Sequence, residues 1–374
     1  MLTDASEGFD SPRGTAARIW GVSALFLLLV AILPSTIFLS ASSWSVGGAV
    51  REFMLPVLRP DPGFKVQIAT SVRHDPDFKL DARSTLDLFH AREYRIDAVR
   101  SGEMTVPRLV LTDLPTGITT LESTQDRKAL FVKTLLPLIL MANERIEQDR
   151  HRLERLLAVR QSGEALAPHD RLWLADLAEH YGMKPSAEIN IKGLLQRVDV
   201  IPASLALAQA AEESGWGTSR FAQRGNALFG QLTWNTEHAG IVPRNRQPGE
   251  THRFRAFDAP KGSVDSYVHN LNTHRAYAQF RQMRASLRAQ EKPISGLMLA
   301  TALTAYSERG EDYVRTIRSL IRVNSLSDFD AAMLSADLME EVLGPLPAGD
   351  GPQPALATVS APRNEGVVPA SMRR

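Results

Sequence analysis

One carboxylate in this chain stands where proton-transfer chemistry would place it. The stretch Glu213-Ser214-Gly215-Trp216-Gly217-Thr218-Ser219 follows an apolar run, Ala203 to Ala211, rich in the strong helix formers Ala and Leu. Pro202 suits the first turn of a helix, where its missing N–H has no intrahelical partner, and Gly215 suits the end. Glu213 therefore falls in the last turn of a predicted helix. The negative end of the helix dipole disfavours a carboxylate anion there. Burial beside Trp216 would disfavour it further, and neighbouring Glu212 adds like-charge repulsion. All three effects raise a pKa. A carboxylic acid kept protonated near neutral pH, beside an aromatic surface, is what general-acid cleavage of a glycosidic bond requires. Ala206 and Ala210 share the face of Glu213 and leave room for a close neighbour or a substrate. An isolated glutamate at a helix end is ordinarily a solvated surface group. The two glycines around Trp216 argue otherwise, because they imply tight bends that hold an aromatic at a cleft.

A second marker, Asn226-Ala227-Leu228-Phe229-Gly230, follows closely. Two further segments accompany it, Asn270-Leu271-Asn272-Thr273-His274-Arg275-Ala276-Tyr277 and Tyr306-Ser307-Glu308-Arg309-Gly310-Glu311-Asp312-Tyr313-Val314. With Ala208 to Ser219, these resemble the bacterial glucosaminidases of the lysozyme superfamily (glycoside hydrolase family 73, mannosyl-glycoprotein endo-β-N-acetylglucosaminidase-like). The upstream helix, from Arg127-Lys128-Ala129-Leu130-Phe131 to Asn143-Glu144, is most similar to the Bax-like subgroup. The resemblance covers about residues 105 to 330. It implies a mainly α fold with a small β lobe (α+β, lysozyme-like) and hydrolysis of the β-1,4 bond following N-acetylglucosamine in peptidoglycan. Matched position by position, Glu213 is the general acid, Tyr277 lines the cleft, and Tyr306 and Tyr313 are substrate-side aromatics. Phe229 and Trp216 would shape the groove floor. The residue before the acid departs from the usual small or apolar type, since it is Glu212. The two glutamates point about 100° apart on a helix, and the Ser-Gly-Trp-Gly spacing selects Glu213.

A two-carboxylate glycosidase sets its pair about 5 Å apart for retention or about 6.5–9.5 Å for inversion. Leu232 to Phe257 reads as a β hairpin, with strands Gly240–Pro243 and His252–Phe257 and a turn at Pro248-Gly249. The family's β lobe sometimes offers an acid across the cleft, and Glu250 and Glu237 are the candidates. If neither serves, the substrate's own N-acetyl group could assist.

These groups need a scaffold. The chain has 374 residues, enough for two domains, with 44% hydrophobic and 23% charged residues, as in ordinary globular proteins. Its formal net charge of +1 gives no reason to expect a nucleic-acid partner. It has no cysteine, so disulfides, thiol nucleophiles and thiolate metal sites are excluded. Nine scattered histidines show no ligand spacing, so no metal is expected, and no cofactor. Gly-x-Ser-x-Gly is absent, which argues against an α/β hydrolase, and Gly215-x-Gly217 follows a helix rather than the strand a phosphate loop requires.

From Ile19 to Val50 there is no charged side chain, and the apolar core Ile19–Leu39 is 21 residues long. As a helix it would span roughly 30 Å, a bilayer's hydrocarbon thickness. Arg13 and Arg18 precede it, which places residues 1–18 in the cytoplasm and the rest across the inner membrane in the periplasm. The rival reading is a signal peptide cleaved near Ser40-Ala41-Ser42, which also exports the rest of the chain.

Residues 40–125 read as a spacer followed by a small β-rich segment, with strands at Phe64–Ile68 and Tyr94–Val99 and an extended piece at Val106–Leu111. A helical region follows at 126–182. Its long first helix, Asp126 to Val159, has Pro137 as a kink or start site and a charge-dense half, Glu144 to Arg155, expected to project into solvent. Pro168 to Tyr181 forms another helix. The catalytic domain is placed at 183–335, and 344–374 reads as a disordered tail. Val264, Tyr267, Val268 and Leu271, like Ile317, Leu320 and Ile321, fall at one-face spacing and read as core packing.

The expected function is thus a membrane-anchored hydrolase of peptidoglycan glycan strands, with the strand and the membrane as partners. Two rivals stand beside it. A lytic transglycosylase would use the same acid to form an anhydro sugar. A non-catalytic wall-binding or scaffold protein would use the anchor and the charged helix to tether a partner.

Overall fold

The structure, a computed structural model, describes residues 80–184, 188–244, 246, 249–336 and 340–343. The expected membrane span, the spacer from 40 to 63, the strand Phe64–Ile68 and the tail 344–374 lie outside them. Among the described residues, no helix is long and apolar enough to cross a membrane.

The segment expected to be β-rich is largely helical. Helix α1 (Ala82–Ala91) starts at Asp81, whose carboxylate accepts the backbone N–H groups of Arg83 and Ser84 at 2.9 Å each. Helix α2 (Ile96–Arg100) replaces the predicted strand Tyr94–Val99. The alternation there was misleading. The buried residues are Tyr94, Ala98 and Val99, the spacing of one helical turn. Only Leu109–Leu111 of this region forms a strand, β1.

Helix α3 (Thr124–Gln161) is 38 residues long and runs through Pro137, which is therefore not a start site. Its charged half is solvated on one side, where Glu147, His151, Glu154 and Arg155 are exposed and Arg150 pairs with Glu154, but its other side is tied to the rest of the protein. Arg108 forms a two-pronged bond with Glu144 (2.8 and 2.6 Å), Arg145 bonds Asp265, Arg152 bonds Asp170, and Arg150 donates to the carbonyls of Leu195 and Val198. The sequence shows how many charges α3 carries; their partners come from distant segments that local pattern cannot supply.

Helices α4 (Pro168–His180) and α5 (Ile191–Arg197) lead to α6 (Ala203–Ser214). Helix α7 (Arg220–Gly225) precedes a three-stranded antiparallel sheet of β2 (Leu232–Thr233), β3 (Gly240–Ile241) and β4 (Arg253–Arg255), in the order β2-β4-β3. The expected hairpin is its β3–β4 half; Pro248 of the expected turn is outside the described residues. Helices α8 (Pro260–Thr273), α9 (Ala278–Ala289), α10 (Gly296–Leu299) and α11 (Glu311–Val323) complete the helical part, and Leu326–Ala331 forms a 3-10 turn. The last strand, β5 (Glu341–Leu343), pairs in parallel with β1. The segment before α3 and the segment after 335 are thus stitched together, and one hydrophobic core joins α1, α3, α6, α8 and α11.

Helix α6 is the axis of this core. Every residue from Ala203 to Ala211 is buried. Its alanines let α3, α10, α11 and the 3-10 turn approach closely. Gly296 shows how closely, because a Cβ there would lie 2.1 Å from Ser204 Oγ. Asp330 fastens the start of α6, accepting the Ser204 N–H and hydroxyl at 2.8 Å each and the Gly296 N–H at 3.2 Å. Asn143 on α3 fixes the approach to it, donating to the Ile201 carbonyl (2.8 Å) and accepting from its N–H (3.0 Å). Asp330→Ala should therefore lower stability by about 1–3 kcal/mol, through a lost helix cap and stranded donors. Urea unfolding should show this as a lower midpoint at unchanged slope; an unchanged midpoint would contradict the capping role.

Candidate active site

Glu213 sits in the last turn of α6. The chain leaves that helix through three consecutive left-handed residues, Gly215 (φ 59°), Trp216 (φ 56°) and Gly217 (φ 80°). Glycine takes this conformation freely, while tryptophan does so at a cost of about 1–2 kcal/mol. Gly217 also has no room for a side chain, since a Cβ would meet Phe131 at 3.2 Å and Ile118 at 3.3 Å. Ser214 holds the bend, accepting the Gly217 N–H at 2.8 Å. The Ser-Gly-Trp-Gly spacing is thus a backbone device that stops α6 abruptly after its carboxylate.

The two neighbouring glutamates go to different partners. Glu212 is ion-paired with Arg309 at 2.7 Å. Glu213, half-buried, is hydrogen-bonded by the Tyr313 hydroxyl and lies against Gly230, where a Cβ would come within 2.7 Å of its Oε2. Behind Tyr313 runs a buried chain of polar groups. Tyr267 donates to Gln209 Oε1 (2.8 Å), and Gln209 Nε2 donates to the Tyr313 oxygen (2.9 Å). Because Gln209 donates to that oxygen, the single Tyr313 proton is free to go to Glu213.

Burial pushes the Glu213 carboxyl above the ordinary glutamate range. The Tyr313 hydrogen bond opposes this, the Glu212 charge adds to it, and the Arg309 charge opposes it; burial is the largest effect. Burial likewise raises Tyr277, Tyr306 and Tyr313, with the Glu213 charge contributing to each, so all three keep their protons near neutral pH. Together they form an aromatic row. The rings of Tyr306 and Tyr313 stack at 5.4 Å, and those of Tyr277 and Tyr306 lie 5.9 Å apart. Tyr306 donates to the Phe229 carbonyl at 2.9 Å, and Asn270 bonds the Tyr277 hydroxyl.

The sequence-derived residues therefore separate. Glu213, Tyr277, Tyr306 and Tyr313 come together, although Tyr277 and Tyr313 are buried, and Tyr313 acts on the carboxyl through its hydroxyl. Phe229 does not form a groove floor, whereas Trp216 is half-buried and keeps part of its ring surface exposed. Phe229 is buried and stacks on Tyr267 at 3.9 Å, and Trp216 packs edge-on against Phe131 at 5.5 Å with the Lys128 ammonium over its ring at 5.0 Å. The core takes the whole Phe229 ring and one side of Trp216, which the motif alone does not reveal. Glu250 and Glu237 are exposed on the β3–β4 and β2–β3 connections. Sequence reasoning missed Gln209, Tyr267 and Arg309. Gln209 carried a readable signal: it is a polar residue in an otherwise apolar run, four positions before Glu213 and so on its face.

With the geometry in place, comparison with known proteins is informative. Residues 190–326 match the family described as mannosyl-glycoprotein endo-beta-N-acetylglucosaminidase. The protein bax of Escherichia coli (strain K12) is 36% identical over 190 residues, spanning 50% of this chain and 66% of that protein. Residues 190–326 belong to the glucosaminidase family, and the chain is Bax-like. It spans just under two thirds of the length of that curated relative. The catalytic domain of the autolysin Auto from Listeria monocytogenes is also similar, at 17% identity over 47% of this chain and 96% of that one, with a TM-score of 0.27. A structural likeness that slight carries no argument about the site. The matched stretch begins just before α5 and ends in the 3-10 turn after α11, so it contains Glu213, Gly230 and the whole tyrosine row.

The raised Glu213 pKa has a consequence for stability. The folded state holds this proton more tightly than the unfolded chain does. The associated stability is complete below the unfolded glutamate value and is lost as pH rises through the folded one. Glu213→Gln should therefore unfold at higher urea than the native protein at pH 8, with the gap closing toward pH 4. Equal midpoints at both pH values would show that the carboxyl titrates freely. Tyr313→Phe should raise the Glu213 pKa further, because it removes a hydrogen bond to the anion; a ¹³C-carboxyl NMR titration that moved down instead would contradict the assigned bond.

Proposed function

We propose that the chain is a peptidoglycan hydrolase, an endo-β-N-acetylglucosaminidase that cleaves the β-1,4 bonds of glycan strands with Glu213 as general acid. The observation that carries this reading is the half-buried Glu213 carboxyl, held above its ordinary pKa and hydrogen-bonded to Tyr313, while Glu212 is occupied by Arg309. Family membership supports the same chemistry. The lysozyme-like lobe arrangement is part of this proposal, with the small sheet facing the helices across the sugar.

In this mechanism the neutral Glu213 carboxyl gives its proton to the bridging oxygen as positive charge grows on the sugar ring. The new carboxylate inherits the Tyr313 hydrogen bond and the Arg309 charge. Both favour the anion, so both help most as the proton leaves. Tyr277 and Tyr306 stay neutral and form the aromatic wall beside the sugar, their hydroxyls held by Asn270 and the Phe229 carbonyl. Water completes the reaction, aided by Glu250 or by the substrate's N-acetyl group. The proposal also places the enzyme in the bacterial envelope, held by Ile19–Leu39.

A lytic transglycosylase remains a second reading, favoured by one observation. The acidic side chain whose charge acts on Glu213 is Glu212, and that group is already paired with Arg309. A single-acid route would suffice for intramolecular closure. Mass spectrometry of digested muropeptides decides between them: fragments with reducing ends support hydrolysis, and fragments lighter by one water support the transglycosylase. Zymography on purified cell wall tests the acid itself. Glu213→Gln should lose activity by roughly 10²–10⁴-fold, the usual worth of a general acid, while Glu212→Gln keeps most of it. A fully active Glu213→Gln protein would end the proposal.

A further inference from the structure

The small sheet carries a feature that the acid-catalysed step does not use. Residues directly opposite in an antiparallel pair point to the same face. Leu232 and Ile241 are each paired with Phe254, so all three share one face of the β2-β4-β3 sheet. Trp234, two residues beyond Leu232, falls on that face as well, and its ring lies 6.4 Å from that of His252. This face is only partly covered: Trp234 is 63% exposed and Leu232 43%. Helix α7 covers the rest at very short range. A Cβ at Gly225 would lie 2.8 Å from both Ala256 and Ile241, so glycine is what lets the helix settle there. As a result Phe221 meets Phe254 at 4.1 Å between ring centres.

Beside that aromatic pair is a pocket of about 300 Å³ lined by Arg220, Phe221, Pro243, Arg244 and Phe254. Its floor is apolar and both of its charged residues are cations. Arg220 is already positioned: it donates to the Val242 carbonyl at 2.9 Å and lies over the Phe221 ring at 4.7 Å, which leaves further guanidinium donors for a ligand. The surrounding segment has the same sign. Residues 220–257 contain six arginines and two glutamates, with no lysine or aspartate, whereas the whole chain has a net charge of only +1. Of these six, Arg220 and Arg244 line the pocket, while Arg253 and Arg255, on either side of Phe254, point to the other face of β4.

We propose that this pocket is a binding subsite for an acidic peptide, with carboxylates held by Arg220 and Arg244 and aliphatic parts lying on Phe221, Phe254 and Pro243. Guanidinium groups suit carboxylates through charge-assisted, paired hydrogen bonds, and an apolar floor with no acid suits the short aliphatic segments between them. The inference rests on the hydrolase reading for its biological sense: the glycan strands of that reading bear acidic peptide branches, and a lobe that held one would set the enzyme's preference for branched over bare strands. The lobe is connected to the acid directly, because Gly230, against which Glu213 packs, lies two residues before β2.

The test has two arms. In the first, a synthetic acidic stem tetrapeptide is titrated into the full-length protein and followed by amide and arginine side-chain NMR. Shifts confined to residues 220–257, weakened by salt and lost in Arg220→Gln with Arg244→Gln, are expected. In the second, cleavage of strands with intact peptides is compared with cleavage of the same strands after amidase treatment. The wild type should prefer the branched strands, and the double variant should lose on the order of tenfold of that preference, as expected for one charge-assisted pair, while cutting bare strands at the wild-type rate. No shifts with the peptide, or equal shifts with bare sugar strands, would overturn the inference. So would a double variant with the wild-type preference. If the wild type cuts neither substrate, the hydrolase reading fails, and the peptide titration, which needs no turnover, still judges the pocket.

Discussion

Helix α6 is buried around nearly its whole circumference, and that constraint organises everything near Glu213. A helix packed on all sides must be lined with small residues, and its alanines meet that need. Its polar groups must then be satisfied inside the protein. Ser204 is met by Asp330, Gln209 by Tyr267 and Tyr313, and Ser214 by its own helix and by Gly217. Unmet, each would cost about 1–3 kcal/mol. The carboxylate at the end of this helix therefore emerges from a rigid support, with its direction fixed by groups that have no alternative partners.

The electrostatics of the acid follow from opposing effects of unequal size. Burial favours the protonated form, and the Tyr313 hydrogen bond and the Arg309 charge favour the anion. Burial dominates, so the resting group sits above an ordinary glutamate. The weaker, opposing contacts are not wasted, because they act on the form that exists after the proton has gone. Arg309 does this while also removing Glu212 from competition, which is how adjacent glutamates come to have separate roles.

Arginine has a different use elsewhere. Arg284 is fully buried and donates to the carbonyls of Gln196, Asp199 and Val200, at the end of α5. Burial lowers its pKa to about 10, which still leaves it charged at neutral pH. Asp199, itself buried, is bonded by Arg288 at 2.5 Å. Removing Asp199 would leave the buried Arg284 charge uncompensated, since Asp199 also lies 3.6 Å from Arg284. This cluster ties α3, α5 and α9 together just before the chain enters α6. The charged half of α3, which by pattern belongs in water, is part of the same fastening.

What the sequence determined by itself was local and chemical. Ala-rich composition, Pro202 and Gly215 defined α6 and its ends; Gly-Trp-Gly marked the sharp bend; and the residue types singled out Glu213 and the three tyrosines. Periodicity was sufficient for α8 and α11, because each buries one continuous face, while α3 is buried on all sides from Thr134 to Ile139. Tertiary structure decided the rest. The predicted strand Tyr94–Val99 gave way to helix Ile96–Arg100 because its burial spacing is set by neighbours, Phe229 went to the core against Tyr267 and Trp216 partly so against α3, and Glu212 was separated from Glu213 by an arginine 97 residues away. Such pairings depend on which distant segments meet, and no local pattern in a single chain encodes that.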